Sequence, residues 1–167
     1  DAEYIKTGSF TKLSDVCADE NGNIYILDSG ASKIFILDKD YKYVKTIESI
    51  KKQGEDLTFT GAMGIFAAEG SVYISDTENA RVLKIGVDGK YIDEFLVPDS
   101  NLIPDGFEYR PIKTAIDSRG YLYILCDGSY YGAILYSPKN EFLGFYGANS
   151  TSGGILQAIE IIFDKIF

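Results

Sequence analysis

Apolar residues in this chain occur in short runs that recur at a nearly constant distance. Three such runs centre on Tyr25, Tyr73 and Tyr123, which lie 48 and then 50 residues apart. Each run follows a glycine turn and is followed by a second apolar run. Self-similarity at this period is typical of repeat architectures. The pattern therefore predicts three copies of one structural unit.

The residues around each run predict a unit of four short strands. In the first copy, a short apolar run at 16–18 precedes the run at 24–28, and another follows at 33–37. A turn at Lys39 and Asp40 then leads into a last run. Short apolar and aromatic runs separated by turns are typical of an antiparallel meander. The three units are predicted at about 12–48, 60–96 and 110–147.

Polarity rises from the second strand of a unit to its last strand. The strand around Tyr25 is apolar almost throughout, whereas 91–95 reads Tyr-Ile-Asp-Glu-Phe. Sheets with buried inner strands and more polar outer strands, repeated roughly every 40 to 50 residues, are typical of the blades of a β-propeller. We therefore predict an all-β fold for 1–147, a partial β-propeller of three four-stranded antiparallel blades.

The pattern changes after Gly147. A polar stretch is followed by Ile155, Ile159 and Ile162 at helical spacing, which predicts a linker and a C-terminal amphipathic helix over 148–167. The helix reaches the last residue without a stop signal, so we expect the chain to be truncated there. A helix of about 13 residues is too short to span a bilayer.

Composition narrows the classes of partner. Sixteen Lys and Arg against 25 Asp and Glu give a net charge of −9 at pH 7, which opposes binding to a phosphate backbone. We therefore expect no nucleic-acid partner. No uninterrupted apolar stretch approaches the roughly 18 residues of a membrane span, so none is predicted in this chain.

Candidate catalytic and metal-binding chemistry is sparse. The chain has no histidine, the commonest general base and metal imidazole. Cys17 and Cys126 show no C-x-x-C spacing and are predicted to be small buried apolar residues. The segment Asp19 to Asn23 resembles the start of a calcium loop but lacks the distal glutamate, so we predict a hairpin turn. No metal and no cofactor are predicted.

Two acidic residues end equivalent strands. Asp28 and Asp76 lie where a carboxylate can accept backbone N–H bonds from the following turn. Arg81 and Lys33 follow these turns and are predicted to pair with such an acid in the same or a neighbouring blade. The alternative is that the acids line a central channel as metal ligands or bases.

The second copy resembles the NHL repeat of six-bladed propellers. It reads Asp-Thr-Glu-Asn-Ala-Arg-Val from Asp76 to Val82, close to the family pattern Asp-Thr-x-Asn-x-Arg-Val. The first copy keeps Asp28 but has Lys33 in place of the arginine. The third has its acid one place late, at Asp127, and no basic residue.

The resemblance implies a bacterial protein that is exported or membrane-tethered, of which this chain is the N-terminal half. Three blades would leave two sheet faces open. Further blades of a longer chain, a second copy of this chain, or the C-terminal helix folding back are the alternatives for covering them.

Several residues are candidates for ligand binding. Aromatic residues in the predicted loops have no obvious core role and are typical of binding surfaces, although propeller loops also pack aromatics against neighbouring blades. Asn79 and Arg81 are added by the family resemblance. The candidates are Asn79, Arg81, Phe107, Tyr109, Arg110, Tyr130 and Tyr131.

The functional prediction is a non-catalytic NHL-type propeller module outside the cytoplasm. Its predicted partner is a protein, a peptide or a carbohydrate. The alternative is a divalent-metal-dependent propeller lactonase or lyase-like hydrolase, in which carboxylates would carry the chemistry. The missing histidines make the alternative weaker.

Overall fold

The computed structural model describes residues 10–147, which form three four-stranded antiparallel sheets and one two-stranded hairpin. The first sheet contains β1 (Leu13–Ala18), β2 (Ile24–Asp28), β3 (Lys33–Leu37) and β4 (Tyr43–Ile47). The hairpin contains β5 (Ile50–Lys52) and β6 (Glu55–Leu57). The second sheet contains β7 (Gly64–Ala68), β8 (Ser71–Asp76), β9 (Arg81–Gly86) and β10 (Tyr91–Phe95). The third sheet contains β11 (Pro111–Ile116), β12 (Leu122–Cys126), β13 (Ala133–Tyr136) and β14 (Phe142–Tyr146).

Each four-stranded sheet is a meander in which every strand pairs with the next one along the chain. The registers repeat as well: Tyr25 lies opposite Ile36, and Tyr123 lies opposite Leu135. The all-β prediction, with antiparallel four-stranded sheets, is confirmed. The predicted C-terminal helix lies in 148–167, outside the described residues.

One element of the fold was not predicted. The link after β4, which is mostly polar in sequence, contains the hairpin of β5 and β6. Ile50 is fully buried and lies opposite Leu57, so one apolar pair anchors an otherwise polar hairpin. A single turn of 3₁₀-helix at Thr77–Asn79 is the one helical element among residues 10–147.

The core consists of two apolar clusters, one on each side of the second sheet. Alternate residues of each strand point to opposite faces, so β9 contributes Leu83 to the first cluster and Val82 to the second. The first cluster also contains Tyr25, Leu27 and Ile36 of the first sheet, and the second contains Ile124 and Ile134 of the third. The second sheet is thus covered on both faces, and β8 is buried from Val72 to Asp76.

The strands β1, β7 and β11 lie side by side at one edge of the three sheets, which we call the inner edge. Polar contacts join the sheets there. Asp15 on β1 accepts the backbone N–H of Ile65 at 2.8 Å and pairs with Lys113 on β11. Ser75 and Thr114 share a hydrogen bond of 3.0 Å between the second and third sheets.

The acidic turn from Asp19 to Asn23 is a β-hairpin turn, as expected. The Asp19 carboxylate accepts the backbone N–H groups of Asn21 and Asn23 and the hydroxyl of Tyr25. Asp117 makes the equivalent contacts in the third sheet, including one from the hydroxyl of Tyr123 at 3.2 Å. The Asp19 carboxylate is therefore used within its own turn.

Candidate functional site

The turn between the second and third strands of each sheet lies at the same end of the molecule as the links between sheets. The strands of a meander alternate in direction, so these turns meet the start of the first strand. Backbone contacts show this directly: Ser29 donates to the carbonyl of Lys12 at 2.9 Å, and Asp127 donates to that of Arg110 at 2.8 Å. We call this end the link face.

In the first sheet, a buried carboxylate lies at the link face. Asp28 is 1% exposed and accepts the backbone N–H groups of Thr11, Lys12 and Ala31. Burial acts to raise the pKa of Asp28, but these hydrogen bonds outweigh it and hold the pKa below the usual range. The carboxylate therefore fastens the start of β1 to the turn, in agreement with the structural role predicted for it.

In the second sheet, a buried ion pair occupies the same place. Asp76 is fully buried, with Arg81 Nε at 2.7 Å and Asn79 Nδ2 at 2.9 Å from its carboxylate oxygens. Arg81 also donates to the carbonyl of Thr58. Burial raises the pKa of Asp76, and the contacts from Asn79 and Arg81 only partly oppose it.

Asn79 and Arg81, which were predicted as ligand-binding residues, both donate to the Asp76 carboxylate. The predicted pairing of Arg81 with an acid of its own or a neighbouring blade matches the geometry, because Arg81 pairs with Asp76 of its own sheet. Lys33 differs from this pattern, because it pairs with the exposed Glu48 at 3.0 Å.

The third sheet lacks a buried carboxylate. Cys126 holds the position of Asp28 and Asp76, and the acid follows one residue later at Asp127. Burial raises the pKa of the Cys126 thiol to about 11, so this side chain is a neutral apolar residue near pH 7. The Asp127 carboxylate is exposed, and within residues 10–147 its one ion-pair contact is the Arg110 guanidinium at 4.0 Å.

A cavity of about 250 Å³ opens beside Asp127 on the link face. It lies between the link before β11 and the turn after β12. Its lining residues are Gly106, Phe107, Glu108, Asp127, Gly128, Ser129 and Tyr131. The cavity therefore combines two aromatic rings with two carboxylates, and we call it the acidic–aromatic cavity.

The rings of the cavity are held by the core beneath them. Phe107 and Tyr131 have ring centroids 6.3 Å apart, and each lies 5.6 Å from the ring of the buried Phe145. Tyr131 remains 37% exposed. The Ser129 hydroxyl accepts the backbone N–H of Tyr131, which fixes the turn that presents the ring.

Negative charge dominates the cavity. Glu108 and Asp127 are both exposed, and Arg110, which contacts Asp127 at 4.0 Å, also contacts Glu78 through Nη2 at 3.3 Å. One guanidinium shared between two acids neutralises only part of this charge. The site therefore favours a neutral or cationic ligand over an anion.

The candidate binding residues predicted in the loops fall into three groups. Phe107 and Tyr131 line the cavity, and Arg110 lies beside it. Tyr130 is 91% exposed and is not part of the lining. Tyr109 follows the packing alternative for loop aromatics and not the ligand-binding one: it is 6% exposed in the second core cluster, and its hydroxyl donates to the carbonyl of Phe95 at 3.1 Å.

Sequence reasoning missed the polar half of the cavity. Glu108 and Asp127 were not predicted as binding residues, nor was Ser129. The signal for Asp127 was present in the repeat alignment, as the acid displaced by one position. Glu108 gave no such signal, because it lies in the link outside the repeat.

Within residues 10–147, no group of three or more Asp, Glu, His or Cys side chains is arranged to hold a metal ion. No helix in that range is long and apolar enough to cross a membrane.

No protein-family model and no curated protein matches the sequence. Solved structures do match its fold. Virginiamycin B lyase from Staphylococcus aureus, in a catalytically inactive histidine-to-alanine form with quinupristin, aligns with a TM-score of 0.60 at 15% identity, over 89% of this chain and 45% of the lyase. Hydrazine synthase from Kuenenia stuttgartiensis aligns with a TM-score of 0.57 at 12% identity, over 85% of this chain and 39% of that one.

A Bacteroides fragilis protein assigned to the exported class aligns with a TM-score of 0.56 at 15% identity, over 84% of this chain and 38% of that one. These are propeller-type proteins, so the described chain has a propeller-like all-β fold. The chain spans less than half the length of each of these neighbours.

Proposed function

We propose that this chain is a non-catalytic binding module of an NHL-type β-propeller, in which the three four-stranded sheets are blades. The acidic–aromatic cavity is its ligand site, and the ligand is a carbohydrate, a peptide or a protein side chain that is neutral or cationic. The observation that carries the proposal is the contrast among the three equivalent turns. Two of them bury their acid, and only the third exposes it beside two aromatic rings.

The chemistry of the lining supports binding of this kind. An aromatic face attracts the C–H surface of a sugar or the charge of an ammonium or guanidinium group. Carboxylates beside that face accept hydrogen bonds from hydroxyl or N–H donors. The volume of about 250 Å³ suits one sugar ring or one side chain.

The lyase-like alternative has less support. The aligned lyase was made inactive by replacing a histidine, whereas these 167 residues contain none. Consumption of quinupristin by the purified chain would contradict a purely binding role. A position outside the cytoplasm is part of the proposal, supported by the fold shared with the exported Bacteroides fragilis protein.

The test is a binding screen with matched variants. Soluble oligosaccharides and short lysine- or arginine-containing peptides are titrated against the chain by calorimetry. Tyr131→Ala and Asp127→Asn are each expected to weaken the affinity for a ligand found in the screen by about tenfold. The first removes an aromatic ring of the cavity, and the second removes one of its carboxylates. Tyr41→Ala is the control, since Tyr41 is 71% exposed in the turn after β3, at the opposite end of the molecule. Equal loss in all three variants, or a hit that none of them weakens, would exclude the cavity as the site.

A further inference from the structure

The three sheets stack in one direction, and each has two distinct faces. The forward face of a sheet carries Tyr25, Tyr73 or Tyr123, and the backward face carries the following isoleucine. The forward face of the first sheet packs on the backward face of the second in the first core cluster. The forward face of the second sheet packs on the backward face of the third in the second cluster.

The forward face of the third sheet is open, yet it repeats the forward face that is covered in the first sheet. By register, Leu125 corresponds to Leu27, and Tyr146 corresponds to Ile47. Leu27 and Ile47 are 0% and 4% exposed, whereas Leu125 and Tyr146 are 43% and 55% exposed. The open face contains Ala115, Tyr123, Leu125, Ala133, Leu135 and Tyr146, together with Lys113, which lies directly opposite Leu125 and pairs with Asp15.

The backward face of the first sheet is covered only in part, by the ring of Phe10, whose centroid lies 5.2 Å from that of Phe35. Val16 is 58% exposed, and by register it corresponds to Ile65, which is 1% exposed in the first core cluster. The open face contains Val16, Ile24, Ile26, Phe35 and Leu37. Their counterparts in the second sheet, Ile65, Val72, Ile74, Leu83 and Ile85, all belong to the first core cluster.

One pair of positions meets at each existing junction between sheets. Leu27 and Ile65 share the first core cluster, and Ser75 and Thr114 are hydrogen-bonded at the second junction. The corresponding pair at a further junction would be Leu125 and Val16. Both are apolar and exposed, so they match each other as Leu27 matches Ile65.

We propose that two copies of this chain associate through these faces, with the third sheet of each copy on the first sheet of the other. A single molecule carries both halves of the junction, so a twofold axis forms the junction twice and covers every open face. The result is a closed ring of six sheets, which lies within the usual range of propellers. Exposed apolar faces of this extent on a propeller-like fold are otherwise unfavourable.

The test measures the mass of the protein in solution and asks whether its association depends on these two faces. Sedimentation equilibrium of the full 167-residue chain is expected to give twice the 18.5 kDa chain mass. Val16→Asp is expected to raise the dissociation constant by about a hundredfold, because each junction would then bury a carboxylate. Leu125→Asp is expected to raise it by about tenfold, because Lys113 lies directly opposite on β11 and partly neutralises the new carboxylate. The double variant Val16→Lys with Leu125→Asp places opposite charges across each junction and is expected to recover much of the loss.

The control is Ile92→Asp, which changes a residue of similar exposure (49%) on the outer strand β10. It is expected to leave the dimer intact. Circular dichroism of each variant separates loss of association from loss of folding. A wild-type chain that stays monomeric up to about 100 µM, or a dimer that survives both single substitutions, would overturn the proposal.

Discussion

Replacing Arg81 by methionine tests the buried ion pair of the second sheet. Arg81→Met keeps most of the length of the side chain but removes the guanidinium from Asp76. Asp76 has no exposed surface, and among residues 10–147 Asn79 would remain as its one side-chain partner. Removing one partner of a buried pair costs about 3–5 kcal/mol, because the other charge stays buried. We expect the low end, about 3 kcal/mol at pH 7, because Arg81 is partly exposed and Asn79 stays in place.

The loss depends on pH in a defined direction. The folded-state pKa of Asp76 is already raised by burial, and removal of Arg81 raises it further. A carboxyl whose folded pKa exceeds its unfolded pKa makes the protein less stable as pH rises through that range. The difference between variant and wild type should therefore shrink between pH 7 and about pH 5, as Asp76 takes up a proton.

Lys33→Met is the matched control, since Lys33 holds the equivalent position in the first sheet. Its partner Glu48 is largely exposed, and Asp28 relies on backbone N–H groups instead. We expect a loss below about 0.5 kcal/mol. Urea unfolding at the two pH values measures both variants. Equal losses in the two sheets, or a loss for Arg81→Met that does not change with pH, would refute this account of Asp76.

Three further predictions concern packing and reactivity. Gly64→Ala should destabilise the fold by about 1–3 kcal/mol in urea unfolding, because the added Cβ would overlap the carbonyl oxygen of Ile112. Tyr109→Phe should cost about 1 kcal/mol and leave ligand binding unchanged, since its hydroxyl donates within the core; a loss of binding alone would contradict this. Burial raises the pKa of Cys126 to about 11 and that of Cys17 to about 12, so both thiols should react with iodoacetamide at pH 8 far more slowly in the folded chain than in urea, as read by mass spectrometry.

The repeated parts of the fold were predictable from the sequence because the same physical pattern occurs three times. Apolar runs at a constant period indicated the strands, and the glycine turns indicated the meander. The hairpin of β5 and β6 was not predictable, since only Ile50 and Leu57 distinguish it from a polar link. Its formation depends on tertiary burial of those two residues, which a local pattern does not show.

The candidate site was predictable only in part. Phe107 and Tyr131 could be chosen because large aromatic residues in loops are rarely without a contact or a ligand. The same reasoning chose Tyr109, and nothing local separates it from Phe107 two residues earlier. The difference arises where the link crosses the edge of the second core cluster, which sends one ring into the core and leaves the other at the cavity.

The ion pair between Asp15 and Lys113 connects the first sheet directly to the third. By register, the position of these two residues is held in the second sheet by Gly64, which has no side chain to separate them. The first and third sheets are therefore tied directly to each other over the middle one. This ion pair opposes any movement that spreads the three sheets further apart, and so contributes to the curvature on which any ring built from them depends.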